Sequence, residues 1–402
     1  MNSQNNYDVI IAGGGPAGAS AAIHLATRGV RVLLVEQKKF PRPKLCGEFI
    51  SPECALHFER LQVADAMSAA QPSHLTATVF YSRSGRNVRV PSSWFGANTV
   101  ALGLSRAEMD ERLLRRAGAA GADVLEDAQA TNLTVERQTV CGLTIKQGAR
   151  ETSYRAAVII DATGRNRALT RKLTPQGARH ERRPMVAFKA HFESTRIEPG
   201  ACEIYFYRGG YGGLSRIENG LSNLCFIASA RDVRSCGAQA DRVMREVVCQ
   251  NRRATFTLER ARLSSPWLAV SLEGFGRSSA APLNGLLTIG DAASFIDPFT
   301  GSGMLMALES GELAANAIVD FLDHETSLRS FDELRRAYST RYHQMFDSRL
   351  RLSSLLRRAA FVPGLAAAAI TLCGTSDLVR RQLAQATRGS RTETSAPAMR
   401  LR

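Results

Sequence analysis

The chain has 402 residues, a formal net charge of +15 at pH 7 and hydrophobic residues at 44% of its positions. This length predicts two or three domains, and the apolar fraction is typical of a globular protein and excludes a largely disordered one. No apolar run reaches the roughly 20 residues that cross a bilayer, and the first residues indicate a strand rather than a secretory signal. We therefore expect a cytoplasmic protein.

Cysteine spacing and the distribution of charge narrow the classes of partner. None of the eight cysteines forms C-x-x-C or lies beside histidines, which predicts a reduced protein without a metal site. Residues 331–402 hold 13 arginines against 5 acidic residues. Such a surface favours association with an anionic membrane, with a solvated basic face as the alternative. No nucleic-acid-binding motif is present, so we expect no nucleic-acid partner.

The N-terminal residues alternate between apolar runs and glycine. Tyr7 to Ala12 has the pattern of a buried parallel strand, Ala17 to Arg28 that of an alanine-rich helix, and Val30 to Val35 that of a second strand. Glu36 follows, 18 residues after Gly18. This order predicts a βαβ unit that ends in an acidic residue.

The turn between the first strand and the helix reads G-x-G-x-x-G. Gly13 permits the tight turn, Gly15 allows a pyrophosphate to approach the backbone, and Gly18 lets the helix pack on the sheet. The N-terminus of the helix faces the phosphates, and Glu36 is placed to accept a hydrogen bond from a ribose hydroxyl. With its strands and helix in place, the motif predicts a dinucleotide site, and an ordinary glycine-rich turn is the alternative.

Two further segments carry candidate site residues. The proline-rich loop 40–52 crowds Lys44, Cys46 and Glu48 around Gly47, which predicts a face toward a bound ligand; a plain connection is the alternative. Ser105 and Glu108 predict a capping box. Arg106 then falls in the first helical turn, where the helix dipole disfavours a cation, so we expect an anionic ligand or, alternatively, a surface arginine.

Two later strands also end in glycine turns. Residues 157–164 predict a buried strand that ends at Asp161 and Gly164, and residues 286–291 predict another that ends at Gly290 and Asp291. The segment SFIDPFTGSG then leads into a helix predicted over 304–321, whose N-terminus forms a second anion site.

The middle of the chain predicts a second, antiparallel sheet. Strand patterns recur from Met185 to Leu272, and one glycine run within them surrounds Tyr211, either as a flexible segment that reaches a ligand or as a hairpin turn. An amphipathic helix is predicted over 57–70. The predicted domains are a discontinuous nucleotide-binding domain (1–75, 100–180 and 275–330), a substrate domain (76–99 and 181–274), C-terminal helices (331–386) and a disordered tail (387–402).

The N-terminal fingerprint, the DATG strand end and GDAASFIDPFTGSG together resemble the FAD-dependent oxidoreductases of the para-hydroxybenzoate hydroxylase fold, over roughly residues 5 to 330. The loop PRPKLCGE further resembles the geranylgeranyl reductase-like branch. The resemblance implies an α/β fold: a Rossmann-type FAD-binding domain, an interleaved antiparallel-sheet substrate domain and a helical C-terminal tail. It also implies FAD as cofactor and NAD(P)H as a transient electron donor, with a separate reductase or ferredoxin as the alternative donor.

The resemblance also implies roles for the matching residues. The ADP half of FAD would be held by Gly13, Gly15, Ala17, Gly18 and Glu36, with Asp161 and Gly164 on the adenine side. The remaining cofactor contacts would come from Lys44, Cys46, Gly47, Arg106, Gly290, Asp291, Pro298, Gly301, Ser302 and Gly303. Catalytic roles would fall to Cys46, Glu48 and Tyr211.

Two features depart from related enzymes. Prenyl reductases of this branch usually carry an aromatic residue after G-G-Y-G and then a Phe-Pro-like pair, where this chain has Gly213, Ser215 and Arg216. Flavin halogenases carry W-x-W-x-I-P, whereas Trp94 and Trp267 are isolated here. We therefore do not expect halogenation.

Three functions stay open at this point. The first is hydride transfer to or from a carbon–carbon bond of a hydrophobic isoprenoid, quinone or polyketide. The second is a monooxygenase that hydroxylates an aromatic or polyketide ring, which the missing aromatic residues favour. The third is a non-catalytic flavin- or nucleic-acid-binding protein.

Overall fold

The computed structural model of the chain describes residues 6–95, 100–173, 184–272, 275–323, 330–360 and 364–387. The predicted tail, residues 387–402, lies outside them apart from Thr387. The strands within the described residues are β1 Asn6–Ala12, β2 Val32–Val35, β3 Phe49–Ile50, β4 Ser73–Leu75, β5 Ala77–Tyr81, β6 Asn87–Pro91, β7 Ala101–Gly103, β8 Asp123–Leu125, β9 Ala128–Glu136, β10 Thr139–Gln147, β11 Arg150–Asp161, β12 Met185–Glu193, β13 Ala201–Tyr207, β14 Gly210–Arg216, β15 Ser222–Ser229, β16 Arg262–Leu263, β17 Leu268–Leu272, β18 Gly276–Arg277, β19 Leu286–Thr288 and β20 Ser294–Phe295. The α-helices are α1 Pro16–Ala26, α2 Cys54–Arg60, α3 Ala64–Ala69, α4 Arg106–Ala119, α5 Ala230–Ser235, α6 Ala240–Glu246, α7 Arg252–Leu258, α8 Gly303–Leu322, α9 Phe331–Ala360, α10 Leu365–Thr375 and α11 Asp377–Ala386.

The first sheet has seven strands in the order β8-β2-β1-β11-β10-β9, with β19 also paired to β11. Strands β8, β2, β1, β11 and β19 form its parallel part, and β9 and β10 extend it in antiparallel fashion along the first half of β11. The carboxyl ends of β1, β11 and β19 therefore meet at one edge, which is where open α/β sheets bind ligands.

Helices α1 and α8 pack closely behind this edge. Ten of the eleven α1 residues are buried. A Cβ on Gly311 of α8 would lie 2.5 Å from the carbonyl oxygen of Ala17, so this crossing requires glycine. Ser20 Oγ also donates to Leu308 O at 2.9 Å. This packing fixes the N-termini of both helices beside the sheet edge.

The second sheet has eight strands, in the order β16-β12-β15-β14-β13-β5-β6, with β17 also paired to β12. Every pair in it is antiparallel except β13 with β5. Strands β5 and β6 come from the first hundred residues, and the others come from the stretch 185–272. The predicted α/β fold with an interleaved antiparallel sheet is thus confirmed, while the exact domain boundaries stay a prediction.

One local expectation was wrong. The single helix predicted over 57–70 is two helices, α2 and α3, separated at Gln62, whose φ is +57°. Of the two alternatives for the glycine run around Tyr211, the structure has the hairpin: β13 and β14 pair as far as Tyr207 and Gly210, and Tyr211 lies in β14. A Cβ on Gly210 would lie 1.9 Å from Ile227 O of the neighbouring strand, so the glycine serves close packing rather than mobility.

The C-terminal helices lie against both parts of the fold. Helix α9 packs on α8 with Tyr338, Tyr342 and Phe346 fully buried, and α10 and α11 lie against β6. In the part of the chain that the structure describes, no helix is both long enough and apolar enough to cross a bilayer.

Candidate active site

A cavity of about 890 Å³ lies between the two sheets. One half is bounded by the turns that follow β1, β2, β11 and β19, where charged side chains gather. The other half is bounded by the second sheet and by α10, and most of its lining side chains are aliphatic or aromatic. The cavity therefore joins a polar compartment to an apolar one.

Each of the three fingerprint positions requires glycine for a different structural reason. A Cβ on Gly13 would lie 2.3 Å from Ala162 O, and one on Gly18 would lie 1.9 Å from Gly13 O, so the protein's own backbone requires both glycines. Among the described residues, its chain neighbours apart, a Cβ on Gly15 would approach only Arg106 Nη2, at 3.9 Å. Gly15 thus borders open space, as the predicted approach of a pyrophosphate requires.

Glu36 holds this turn while it lines the cavity. Its Oε2 accepts a hydrogen bond from Gly14 N at 2.8 Å, and its Oε1 accepts one from Lys38 N at 2.9 Å. Each carboxylate oxygen has a second lone pair, so Glu36 can still accept a hydrogen bond from a ligand hydroxyl.

Arg106 begins α4 and forms a bidentate ion pair with buried Asp110, both contacts measuring 2.7 Å. Burial lowers the pKa of Arg106, but Asp110 and the Cys46 thiol outweigh it, so the pKa is raised above its ordinary value. The sequence predicted that an anionic ligand would compensate this cation. In the structure, the charge of Arg106 is compensated by Asp110, one turn along the helix, and Arg106 Nη2 also faces Gly15.

Positive charge dominates the polar half of the cavity, which is lined by Arg42, Lys44, Arg106 and Arg165 around Asp291. Burial and the charges of Arg42 and Arg106 lower the pKa of Lys44. Burial raises the pKa of Asp291, against the opposing effect of Arg106 and Lys44. Arg42 Nε makes no hydrogen bond within the described residues and lies 3.7 Å from Glu36 Oε1. This excess of cations matches the charge of a diphosphate.

Helix α8 presents its N-terminus to the same cavity. Gly301, with φ +63°, turns the chain, and Gly303 and Met304 of the first helical turn line the wall beside Pro298. The positive end of the dipole of a 20-residue helix therefore faces the cavity. Negative charge that develops on a bound ring would be stabilised there.

Glu48 is fully buried, with φ +52°, and binds three partners. Its Oε1 lies 2.5 Å from Lys189 Nζ and accepts Arg106 N at 2.9 Å, and its Oε2 lies 2.7 Å from His191 Nε2. Burial alone would raise the pKa of Glu48, but the His191 hydrogen bond and the Lys189 charge lower it. The predicted catalytic carboxylate therefore forms part of a buried ion cluster that joins the 40–52 loop to β12.

Cys46 lies beside this cluster on the cavity wall. Glu48 N donates to Cys46 Sγ at 3.4 Å, and Asn223 Nδ2 of β15 donates to Cys46 O at 3.1 Å. A Cβ on Gly47 would have no other described residue within 4 Å, its chain neighbours apart. The loop is thus held at both sides of an exposed glycine, with the thiol directed by backbone bonds.

Tyr211 belongs to a second buried cluster. Its hydroxyl donates to Asp297 Oδ1 at 2.5 Å, and Asp297 Oδ2 lies 3.3 Å from Arg357 Nε of α9. Burial and the Asp297 charge raise the pKa of Tyr211 well above its ordinary value, so the phenol stays protonated. The ring of Tyr211 lines the cavity, whereas its hydroxyl is engaged by Asp297.

Four aromatic rings meet around this point. Phe299 lies 5.8 Å from Phe80, 5.7 Å from Phe206 and 5.4 Å from Tyr211, measured between ring centroids. All four line the cavity. The aromatic wall that the sequence motif lacked after G-G-Y-G is thus supplied by β5, β13 and the loop before α8. The missing motif residues therefore do not by themselves distinguish a reductase from a monooxygenase.

Most of the predicted cofactor residues line the cavity: Gly13, Gly15, Ala17, Glu36, Lys44, Cys46, Gly47, Arg106, Gly164, Gly290, Asp291, Pro298, Gly301 and Gly303. Three do not. Gly18 packs on Gly13, and Ser302 is the buried N-cap residue of α8. Both oxygens of Asp161 accept hydrogen bonds, from Thr163 and Thr170, so Asp161 shapes the turn without facing the cavity.

The sequence analysis did not identify Lys189, His191 and Asp297 as site residues, and it did not predict that α10 lines the cavity. Lys189 and His191 of β12 meet Glu48 from 141 and 143 positions away, and no spacing rule reveals such a pair. Asp297 had a local signal that was overlooked, because Asp before Pro at the start of a helical turn is a common cap. Its oxygen accepts Phe299 N at 3.0 Å.

These features fit FAD. Gly15 and Gly47 leave open space, the cation cluster matches a diphosphate, and Glu36 retains capacity for a ribose hydroxyl. The α8 N-terminus is placed for the anionic edge of a flavin ring at the junction with the apolar half. When bound, FAD supplies hydride chemistry, and the protein supplies placement and exclusion of water.

The comparisons with known proteins agree with this site. The family model described as "FAD binding domain" matches residues 6–345. A digeranylgeranylglycerophospholipid reductase of Methanocella arvoryzae is 27% identical over 326 residues, covering 79% of this chain and 78% of that protein. A menaquinone reductase of Mycobacterium tuberculosis is 28% identical over 381 residues, covering 90% and 87%.

A solved structure of the flavin-dependent brominase Bmp2 has a TM-score of 0.78 at 20% identity and covers 94% of both chains. This likeness shows a shared fold and carries no statement about the reaction. The resemblance that the sequence motifs predicted is confirmed by the family match and by the reductase relatives. The chain belongs to the FAD binding domain family and is an FAD-dependent oxidoreductase.

Proposed function

We propose that the chain is a reductase that adds hydrogen across a carbon–carbon double bond of a long apolar molecule, such as an isoprenoid chain or the side chain of a quinone. The observation that carries the proposal is the apolar half of the cavity, which extends between the second sheet and α10. Val88, Ile204 and Ile227 line one side, and Ala366 and Ile370 line the other. The names of the reductase relatives support the same class of substrate.

Saturation of a double bond requires a hydride and a proton on adjacent carbons. Bound FAD that a donor has already reduced by two electrons would supply the hydride and would be left as oxidised FAD. We assign the proton to the Cys46 thiol, because Cys46 lies on the cavity wall. Arg106 lies close enough to stabilise the thiolate that remains, which is then reprotonated from solvent. The hydride arrives with its electron pair, so no further oxidant or reductant takes part in this step.

The test is turnover without oxygen. The FAD-loaded protein is reduced with dithionite under argon and mixed with a geranylgeranyl lipid or with menaquinone in detergent, and the products are examined by mass spectrometry. The expected result is a gain of two hydrogens per reduced double bond. Absence of hydrogenated product from both substrates overturns the proposal. A Gly15→Val variant, which we expect to lack FAD, controls for chemical reduction by dithionite.

A monooxygenase is the second candidate, and the aromatic cluster of Phe80, Phe206, Tyr211 and Phe299 favours it. These rings form a wall that suits a flat aromatic substrate. Isotopically labelled oxygen distinguishes the two reactions. Product that forms only in air and contains an oxygen atom from O₂ indicates the monooxygenase. NAD(P)H is the proposed donor in either case, tested by the rate of flavin bleaching under argon.

A further inference from the structure

The end of α9 and the helices α10 and α11 expose an unusual amount of apolar surface. Half of the large apolar side chains that are exposed in the described residues lie within residues 355–383: Leu355, Leu365, Leu372, Leu378, Val379 and Leu383. Leu372 is 63% exposed and Leu378 is 68% exposed. A concentration of this kind on a soluble surface marks an interaction site.

Helix α10 has no charged residue, and of its eleven residues only Ile370 is buried. A helix that faced water on most of its sides would normally carry charged side chains there. The following helix, α11, is amphipathic and places Leu378, Val379 and Leu383 among Arg380 and Arg381. The pair of helices thus combines an uncharged element with a basic amphipathic one.

Charge on this surface is strongly one-sided. The described residues from 351 onward contain five arginines, at 351, 357, 358, 380 and 381, and one acidic residue, Asp377. Asp377 is itself paired with Arg380, and Arg357 is paired with buried Asp297, so the excess positive charge belongs to Arg351, Arg358 and Arg381. The apolar side chains are therefore bordered by net positive charge, which complements anionic headgroups.

This outer surface is continuous with the interior of the cavity. Leu365 and Leu383 are about half exposed to solvent, and both also line the cavity. Ala366, Ile370 and Cys373 continue the lining inward along α10. Of the α10 and α11 residues that line the cavity, Arg380 is charged and is paired with Asp377, and the others are uncharged.

We propose that α10 and α11 seat the protein on an anionic bilayer and that the gap at Leu365 and Leu383 admits the apolar substrate directly from the lipid. The charge pattern favours a lipid surface over a second copy of the chain, because two such basic faces repel each other. Docking is independent of the reaction, whereas substrate entry rests on the proposed function.

The experiment is flotation of the FAD-loaded protein with vesicles of phosphatidylcholine alone or with about one quarter phosphatidylglycerol. We expect flotation with the anionic vesicles and its loss at high salt. Leu372→Glu with Leu378→Glu should weaken vesicle binding by at least about tenfold, because two carboxylates would enter the interface. Leu56→Glu is the matched control, since Leu56 is 59% exposed on α2, and it should leave flotation unchanged.

The same double variant separates docking from catalysis. Leu372 and Leu378 do not line the cavity, so turnover of substrate in detergent should match the wild type, while turnover of substrate embedded in anionic vesicles should fall in parallel with flotation. No flotation, equal binding to neutral vesicles, or undiminished flotation of the double variant overturns the proposal. Flotation without any double-bond reduction overturns only the proposed function.

Discussion

Replacing Glu48 with Gln tests whether this carboxylate organises the site or reacts in it. The side chain of Glu48 has no exposed surface, and that of Lys189 is 3% exposed, with 2.5 Å between Oε1 and Nζ. Gln removes the charge and leaves the lysine buried without its counterion. Removal of one partner from a buried pair typically costs about 3–5 kcal/mol, a large fraction of the total stability of a domain.

The assay is urea unfolding of the wild type, Glu48→Gln, Lys189→Met and the double variant. We expect the double variant to lose less stability than Glu48→Gln alone, because the unpaired ammonium is removed. Glu198→Gln is the matched control: its ion pair with Arg89 spans 2.8 Å but is about 44% exposed, so the change should cost less than about 1 kcal/mol. A Glu48→Gln cost as small as that of the control would refute the reasoning.

The same pair has a defined pH dependence. The pKa of Glu48 is lower in the folded protein than in the unfolded chain. The carboxylate therefore stabilises the fold fully at pH values above its unfolded-state pKa, and this stabilisation is lost as the pH falls through its folded-state pKa. The difference in unfolding free energy between wild type and Glu48→Gln should therefore be full near neutral pH and shrink in acid. A difference that grows toward low pH would contradict this sign.

Three further predictions follow from the cavity wall. Gly15→Val should fold but lack FAD, because the added side chain enters the cavity, and Gly18→Ala should fail to fold, because its Cβ would lie 1.9 Å from a carbonyl oxygen. Circular dichroism measures folding and flavin absorbance measures FAD content. FAD retained by Gly15→Val would contradict the assignment of Gly15 to the FAD site. Cys46→Ala should keep FAD and lower turnover at least tenfold with partial rescue in Cys46→Ser, and unchanged turnover would make Cys46 structural. Tyr211→Phe should cost about 1–3 kcal/mol in urea unfolding, because Asp297 loses a buried donor, while FAD content stays constant; a stability equal to wild type would show that the hydrogen bond is unimportant.

The elements predicted correctly were those whose reasons are local. The turns at Gly13, Gly164 and Gly290 follow short apolar strands, so their sequence alone places them at one edge of a parallel sheet. The capping box at Ser105 is likewise local, and its Oγ accepts Glu108 N at 3.2 Å. In these segments the physical cause lies within a few residues of the effect.

The rest depended on contacts between distant segments. Gln62 interrupts the helix predicted over 57–70 with no proline or glycine to mark the position. The sequence did not show why residue 210 is glycine, because the cause is the close approach of Ile227 O from another strand. The aromatic wall was sought after G-G-Y-G, whereas Phe80 and Phe299 reach it from positions 219 residues apart. Tertiary placement, which a motif does not encode, decided each case.

The two buried polar clusters explain how one cavity can combine a fixed cofactor site with a variable substrate site. Glu48 joins the 40–52 loop to β12, and Asp297 joins the loop before α8 to β14 and to α9. Buried polar networks of this kind specify geometry because a displaced partner leaves an unsatisfied charge. They therefore set the position of the second sheet relative to the cofactor edge. The apolar lining between them carries no such constraint, since aliphatic side chains of similar volume replace one another at small cost. Changes in that lining or in α10 would alter the substrate while the cofactor and Cys46 keep their relative placement, which is how a shared fold accommodates different reactions.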